Sequence, residues 1–227
     1  MKNIFMLITG IFIISSCTKE KNKIDRILKK ENFTSTEYFS IPTDYKKWKN
    51  YDEIIINDSL KKISGDFNQY RIEGFINNEN KKINWWIIKN KADKNADNAR
   101  IEYRIIDGKE YVNQYISFNS KGDYITNSMF YSKENLNIPN FVRYKFFTPS
   151  EKAKINSLAK FSLYYLYDGK EIKSEDLKCQ KKDNYYYVDL NTPKKQNIVI
   201  KGLFEEGYQY TNGEMGVNNI YILDTLK

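Results

Sequence analysis

Histidine is missing altogether from the 227 residues. Its absence removes Ser-His-Asp and Cys-His catalysis, His-ligated zinc and imidazole pH sensing. Cysteine is nearly absent, with only Cys17 and Cys179. Proline (4) and glycine (10) are too scarce for collagen-like or Pro-rich low-complexity sequence. No long apolar run follows the first sixteen residues, so no second membrane span is expected. No Gly-rich loop follows a strand pattern and no Walker-type lysine is present, so nucleotide chemistry lacks its motif.

Aromatic residues, by contrast, are abundant. Nineteen Tyr and thirteen Phe help bring the aromatic share to 15%, and such side chains favour strands over helices. With 41% hydrophobic and 29% charged residues the chain is a folded one rather than a disordered one. The formal charge is +8. Its lysines are scattered among aromatics and Asn, which reads as a solvated surface before it reads as a footprint for an anionic partner.

The first residues read as an address. Met1-Lys2-Asn3 supplies one positive charge, and Ile4 to Ile14 is apolar apart from Thr9 and Gly10. As a helix this run reaches about 16 Å, short of a bilayer core of about 30 Å. A basic start, a short apolar run and small residues describe a secretory signal, expected over residues 1–16. Removal of Lys2 with it leaves a charge of about +7.

The run closes on Ile14-Ser15-Ser16-Cys17. This resembles the lipobox of bacterial lipoproteins: a branched apolar residue, two small residues, then the Cys. Ile14 in place of the commoner Leu is the one departure. The resemblance covers about the first 20 residues. It implies a diacylglycerol thioether on the Cys17 sulfur, cleavage before Cys17 and acylation of the new amino group, as in palmitate-bearing envelope proteins. It also implies that Thr18, where an Asp would mean inner-membrane retention, favours the outer membrane, periplasmic or surface-facing. Residues 18–32 are polar and charged, suited to a tether, with Ile24, Ile27 and Leu28 spaced for one short helical turn. With Cys17 lipidated, Cys179 has no disulfide partner within the chain. It sits among lysines without a histidine base and reads as structural.

The remainder predicts a mostly β fold: an antiparallel β-meander followed by a second small antiparallel β portion, with few short helices. The meander domain is expected over 33–135, and a β-rich C-terminal domain over 141–227, which could complete the same sheet. Residues 33–66 stay undecided, because Trp48, Tyr51, Ile54 and Ile55 fit a helix face while Ile54-Ile55-Ile56 fits a buried strand. From 68 to 132 alternation is clear, and Ile101, Tyr103 and Ile105 share one face. Asp107-Gly108 is a strong hairpin signal, repeated at Asp168-Gly169. Tyr124 to Tyr131 is expected as a fifth meander strand and 136–140 as a linker. Thr148-Pro149-Ser150-Glu151 has the form of a helix N-terminus, predicting a short helix ending near Leu158.

Trp85-Trp86, Tyr115-Ile116-Ser117-Phe118-Asn119 and Lys121-Gly122-Asp123 give the 70–131 region a resemblance to the MORN-variant hairpin repeats of some bacterial lipoproteins and antitoxin-like proteins. Most of the characteristic glycines are missing and no fixed period persists. The resemblance implies a hairpin scaffold without a fixed chemistry.

Candidate chemistry is thin. Glu205 and Glu206 are adjacent in a strand pattern, so they point to opposite faces and form no acid/base pair without a bulge. Asp93 to Asn98 places acceptors at alternate positions but lacks the Gly and terminal Glu of a calcium loop. No metal site, cofactor or catalytic residue is therefore assigned. An exported protein has no access to cytoplasmic nucleic acid, so none is expected as partner. Trp48, Trp85 and Trp86 read first as strand core, since Trp85 and Trp86 face opposite ways in a strand and one of them is expected to pack inward. They are also the possible binding surface, because Trp offers rigid amphipathic contact area to a protein or glycan. The sequence thus reads as a lipid-anchored cell-envelope protein, foremost a non-catalytic binding module. An immunity- or inhibitor-type lipoprotein and a carboxylate-dependent glycan hydrolase are the alternatives.

Overall fold

In the computed structural model, residues 42–92, 97–149, 154–193 and 197–226 are described, within one compact unit that begins at Pro42. Cys17, the lipobox, the 18–32 tether and Asp93 lie outside the described residues.

Alternation decides the first sheet. The strands are β1 (Lys49–Asn57), β2 (Leu60–Phe67), β3 (Tyr70–Asn77), β4 (Lys82–Asn90), β5 (Asp97–Ile106) and β6 (Lys109–Ser117). They pair in chain order as a six-stranded antiparallel meander. One face is apolar at every second residue, so Ile63, Ile72, Ile76, Trp86, Ile88, Ile101 and Tyr103 are buried together. Asp107 and Gly108 close the β5–β6 hairpin with φ of 50° and 74°, the two positive values a type I′ turn requires. The undecided 33–66 region supplies β1 and β2, and all nine residues of β1 are exposed.

The second portion has two four-stranded antiparallel sheets. One joins β7 (Phe130–Asn135), β8 (Phe141–Phe147), β11 (Gln180–Lys182) and β12 (Tyr185–Asn191) in the order β11-β12-β8-β7. The other joins β9 (Lys154–Tyr167), β10 (Lys170–Lys178), β13 (Ile198–Tyr210) and β14 (Met215–Leu226) in the order β10-β9-β13-β14. Their inner faces share a core that includes Tyr144, Phe146, Phe161, Leu163, Tyr165, Leu190, Ile200, Phe204 and Ile220. At its centre Phe146 stacks on Phe204, with ring centroids 4.2 Å apart.

The fold is mostly β, as expected, but three local expectations fail. The helix near 148–158 is absent among the described residues, where β9 already runs from Lys154. Inward Ala159, Phe161, Leu163 and Tyr165 set a period of two whose burial outweighs a local cap signal. The stretch 124–131 adds no full strand to the meander. It joins it through the isolated Tyr115↔Met129 and Phe118↔Tyr124 bridges rather than a ladder, and β7 pairs with β8. Residues 136–140, read as a linker, connect these two neighbouring strands of one sheet.

Candidate functional site

The three tryptophans do not form a shared surface. Trp48 and Trp86 are buried and meet edge-to-face at 5.7 Å. Their indole N–H groups donate to the Pro42 carbonyl (2.6 Å) and to the Phe75 carbonyl (3.1 Å). The Trp86 ring lies directly on the backbone of Gly74. Pleating puts Trp85 on the opposite face, half-buried across from Glu102. The structure does not bring Trp48, Trp85 and Trp86 together as a platform: Trp48 and Trp86 pack the meander, in line with the core reading, and Trp85 lies on the other face.

Two buried carboxylates organise the polar interior. The first, Glu102, accepts Asn113 Nδ2 and Gln114 Nε2 on one oxygen, each at 2.6 Å. Its other oxygen takes Arg104 Nη2 at 2.9 Å. Both amides can turn toward it because the β5–β6 register shifts between Glu102 and Tyr103, leaving Asn113 as an extra residue in β6. The Asn113 amide then pairs with the Tyr221 main chain of β14, at 2.8 Å to its carbonyl and 2.7 Å from its N–H. Gln114 accepts the Tyr131 N–H at 2.9 Å. This hub welds the meander to both sheets of the second portion.

The second is Glu206, buried between the inward Phe204 and Tyr208. It accepts Asn218 Nδ2 at 2.7 Å and Lys154 Nζ at 3.3 Å. Lys154 also donates to the Pro149 carbonyl at 2.9 Å and stands 4.0 Å from the Tyr208 ring centroid. The Tyr186 hydroxyl lies 3.1 Å from Glu206 and 2.6 Å from Ser157 Oγ. Ser157 Oγ in turn takes Lys181 Nζ at 3.0 Å. The result is a polar line, Lys181–Ser157–Tyr186–Glu206, completed by Lys154. It runs between a groove of about 490 Å³ beside Cys179 and a pocket of about 170 Å³ beside Glu206.

Proton bookkeeping fixes what this line can do. Lys181 has only donors, so it donates to Ser157, and the single phenolic proton of Tyr186 is shared between Ser157 and Glu206. Burial, more than the neighbouring Glu206 charge, pushes the Tyr186 phenol up to about 12, so it keeps its proton. Ser157 thus has a cation on one lone pair and a protonated phenol at 2.6 Å, neither of which can take its proton as a base, a polarity opposite to that of an activated nucleophile. The exposed end, Lys181 with Ser157, is suited to receiving an anionic oxygen.

The other residues singled out in the sequence are accounted for locally. Glu205 faces away from Glu206 and pairs with Lys160 at 2.8 Å. Asp97 is held by Arg100 at 2.6 Å, and the described residues contain no cluster of metal-ligating side chains. Cys179 is a free, buried thiol where the chain passes from β10 to β11, and burial pushes it up to about 12. Sequence reading missed Ser157, Tyr186 and Lys181, because they meet only where β9 of one sheet approaches the paired β11 and β12 of the other. Glu206 did carry a signal: a carboxylate at an inward position of an alternating apolar strand. Comparison with known protein families and with curated proteins finds no match.

Proposed function

We propose that this chain is a lipid-anchored protein of the cell envelope whose β body is a non-catalytic binding module for a protein or glycan. The observation that carries the anchoring is the order Ile14-Ser15-Ser16-Cys17 at the end of a short apolar run. A thioether-linked diacylglycerol on Cys17 with a further acyl chain on its amino group holds a protein almost irreversibly, whereas one chain does not. Residues 18–32 then tether the body, and Thr18 favours the outer membrane. The binding reading is supported by the Lys181–Ser157 end of the polar line, whose donors open on the groove beside Cys179. They suit a ligand carrying a carboxylate or other anionic oxygen.

Cys17→Ser should move the protein from the membrane fraction to the soluble fraction; retention in the membrane contradicts the anchor. Affinity capture of the tagged mature protein from native envelope should recover a partner that Lys181→Ala loses. Glycan hydrolysis abolished by Glu206→Gln in a still-folded protein would instead establish the hydrolase reading. Neutralisation of a single toxin would establish the immunity reading.

A further inference from the structure

Glycines inside the strands follow one pattern. A Cβ built on Gly65, Gly74, Gly202 or Gly216 would collide, at under 3.0 Å, with the side chain of Trp48, Trp86, Phe161 or Tyr208 respectively. Each is a seat in which an aromatic side chain lies against bare backbone. Gly207, in β13, is the exception. Among the described residues, a Cβ there would meet nothing within 4 Å, and its φ is not among the positive ones. Neither backbone conformation nor internal packing calls for glycine at this position.

The empty seat lies on the outer face of the β10-β9-β13-β14 sheet. Its direct neighbours are Leu158 on β9 and Val217 on β14, and Met215 stands two residues before Val217 on the same face. Leu158, Val217 and Met215 are 71%, 60% and 72% exposed. Six residues further along β9, on the same face, Tyr164 projects with half its surface exposed. One face therefore holds both a vacant ring seat and an unpacked ring.

We infer that this face docks on a second copy of the chain, with Tyr164 of each copy entering the Leu158–Gly207–Val217 saddle of the other. A two-fold axis lying nearly across the strands, midway between Gly207 and Tyr164, makes both contacts at once over a separation of about 20 Å. The Lys160–Glu205 pair lies between them, so the face carries charges of both signs rather than one. Four strands over five outward rows cover about 600 Å² per copy, hence about 1,200 Å² in total, the lower end of a stable interface. Aligned packing of two such sheets interdigitates their side chains, as inside a sandwich. The inference does not rest on lipidation.

The test is sedimentation of the full chain in mild detergent across the micromolar range, beside the Gly207→Val and Tyr164→Ala variants. A concentration-dependent dimer is expected, weakened at least about tenfold by either substitution. Because the added Cβ meets no described atom and glycine weakens a strand interior, Gly207→Val should not lower Tm. Should Gly207→Val fail to fold, Leu158→Lys at an exposed position makes the same test. A chain that stays monomeric, or a dimer that either substitution leaves intact, overturns the inference. The Cys17→Ser chain is expected to dimerise equally, so failure here leaves the anchor reading untouched.

Discussion

Asn113→Ala is the sharpest probe of how the two β portions hold together. The side chain makes three hydrogen bonds: two to the Tyr221 main chain of β14 and one to the buried carboxylate of Glu102. Alanine keeps the bulge but strands the Tyr221 N–H and carbonyl and removes one of the donors to Glu102. A buried group left without its partner costs about 1–3 kcal/mol, more beside a charge. Because the three share one hub, their losses do not add fully, and the net destabilisation expected is about 3–5 kcal/mol. That is a large part of a domain stability of about 5–15 kcal/mol. Urea unfolding read by tryptophan fluorescence reports the meander, which holds Trp48, Trp85 and Trp86. Tyrosine circular dichroism weights the second portion. The wild type should give coincident transitions, and Asn113→Ala should shift the midpoint down and separate the two probes. A change within about 0.5 kcal/mol, typical of surface substitutions, with coincident probes would refute the weld.

Other perturbations follow from single observations. Gly74→Ala drives a methyl into the Trp86 ring and should cost about 1–3 kcal/mol by overpacking, seen as a lowered urea midpoint. Gly108→Ala forces alanine to a φ of 74° and should cost about 1–2 kcal/mol, seen as a Tm lower by several degrees. Cys179 has its thiol pushed from 9.0 up to about 12 by burial, so it should stay unlabelled by thiol reagents until the chain unfolds. Between those values the unfolded chain loses the proton that the folded chain keeps. The stabilisation is thus complete below pH 9 and falls as pH rises toward 12, by up to about 1.4 kcal/mol per pH unit. Cys179→Ala should flatten that fall between pH 9 and 10 in urea titrations, and an unchanged slope would contradict the burial argument.

Much of the scaffold is legible residue by residue. Asp107-Gly108 and Asp168-Gly169 take the positive φ values their hairpins require, since this requirement is local. Ile101 and Tyr103 share a buried face because pleating is local too. The failures arise where local and distant terms disagree. Thr148-Pro149-Ser150-Glu151 has the form of a helix cap, yet the strand that follows buries Phe161, Leu163 and Tyr165 against the opposite sheet. Ile54-Ile55-Ile56 looks like buried core, yet it stands exposed in the edge strand β1. Pleating sends one of the adjacent Trp85 and Trp86 inward, as alternation requires, but register alone decides that it is Trp86, buried with Trp48. The Ser157, Tyr186, Lys181 and Glu206 line joins residues from four strands, and no spacing in the sequence announces it. Asn113 depends on a register shift that alternation alone does not reveal.

The proposed anchoring depends on whether Cys17 is acylated. Intact-mass measurement of the protein from growing cells decides it. The predicted species begins at Cys17 and carries the mass of a diacylglycerol and an N-linked acyl chain. A full-length chain from Met1 with a bare thiol would contradict the account.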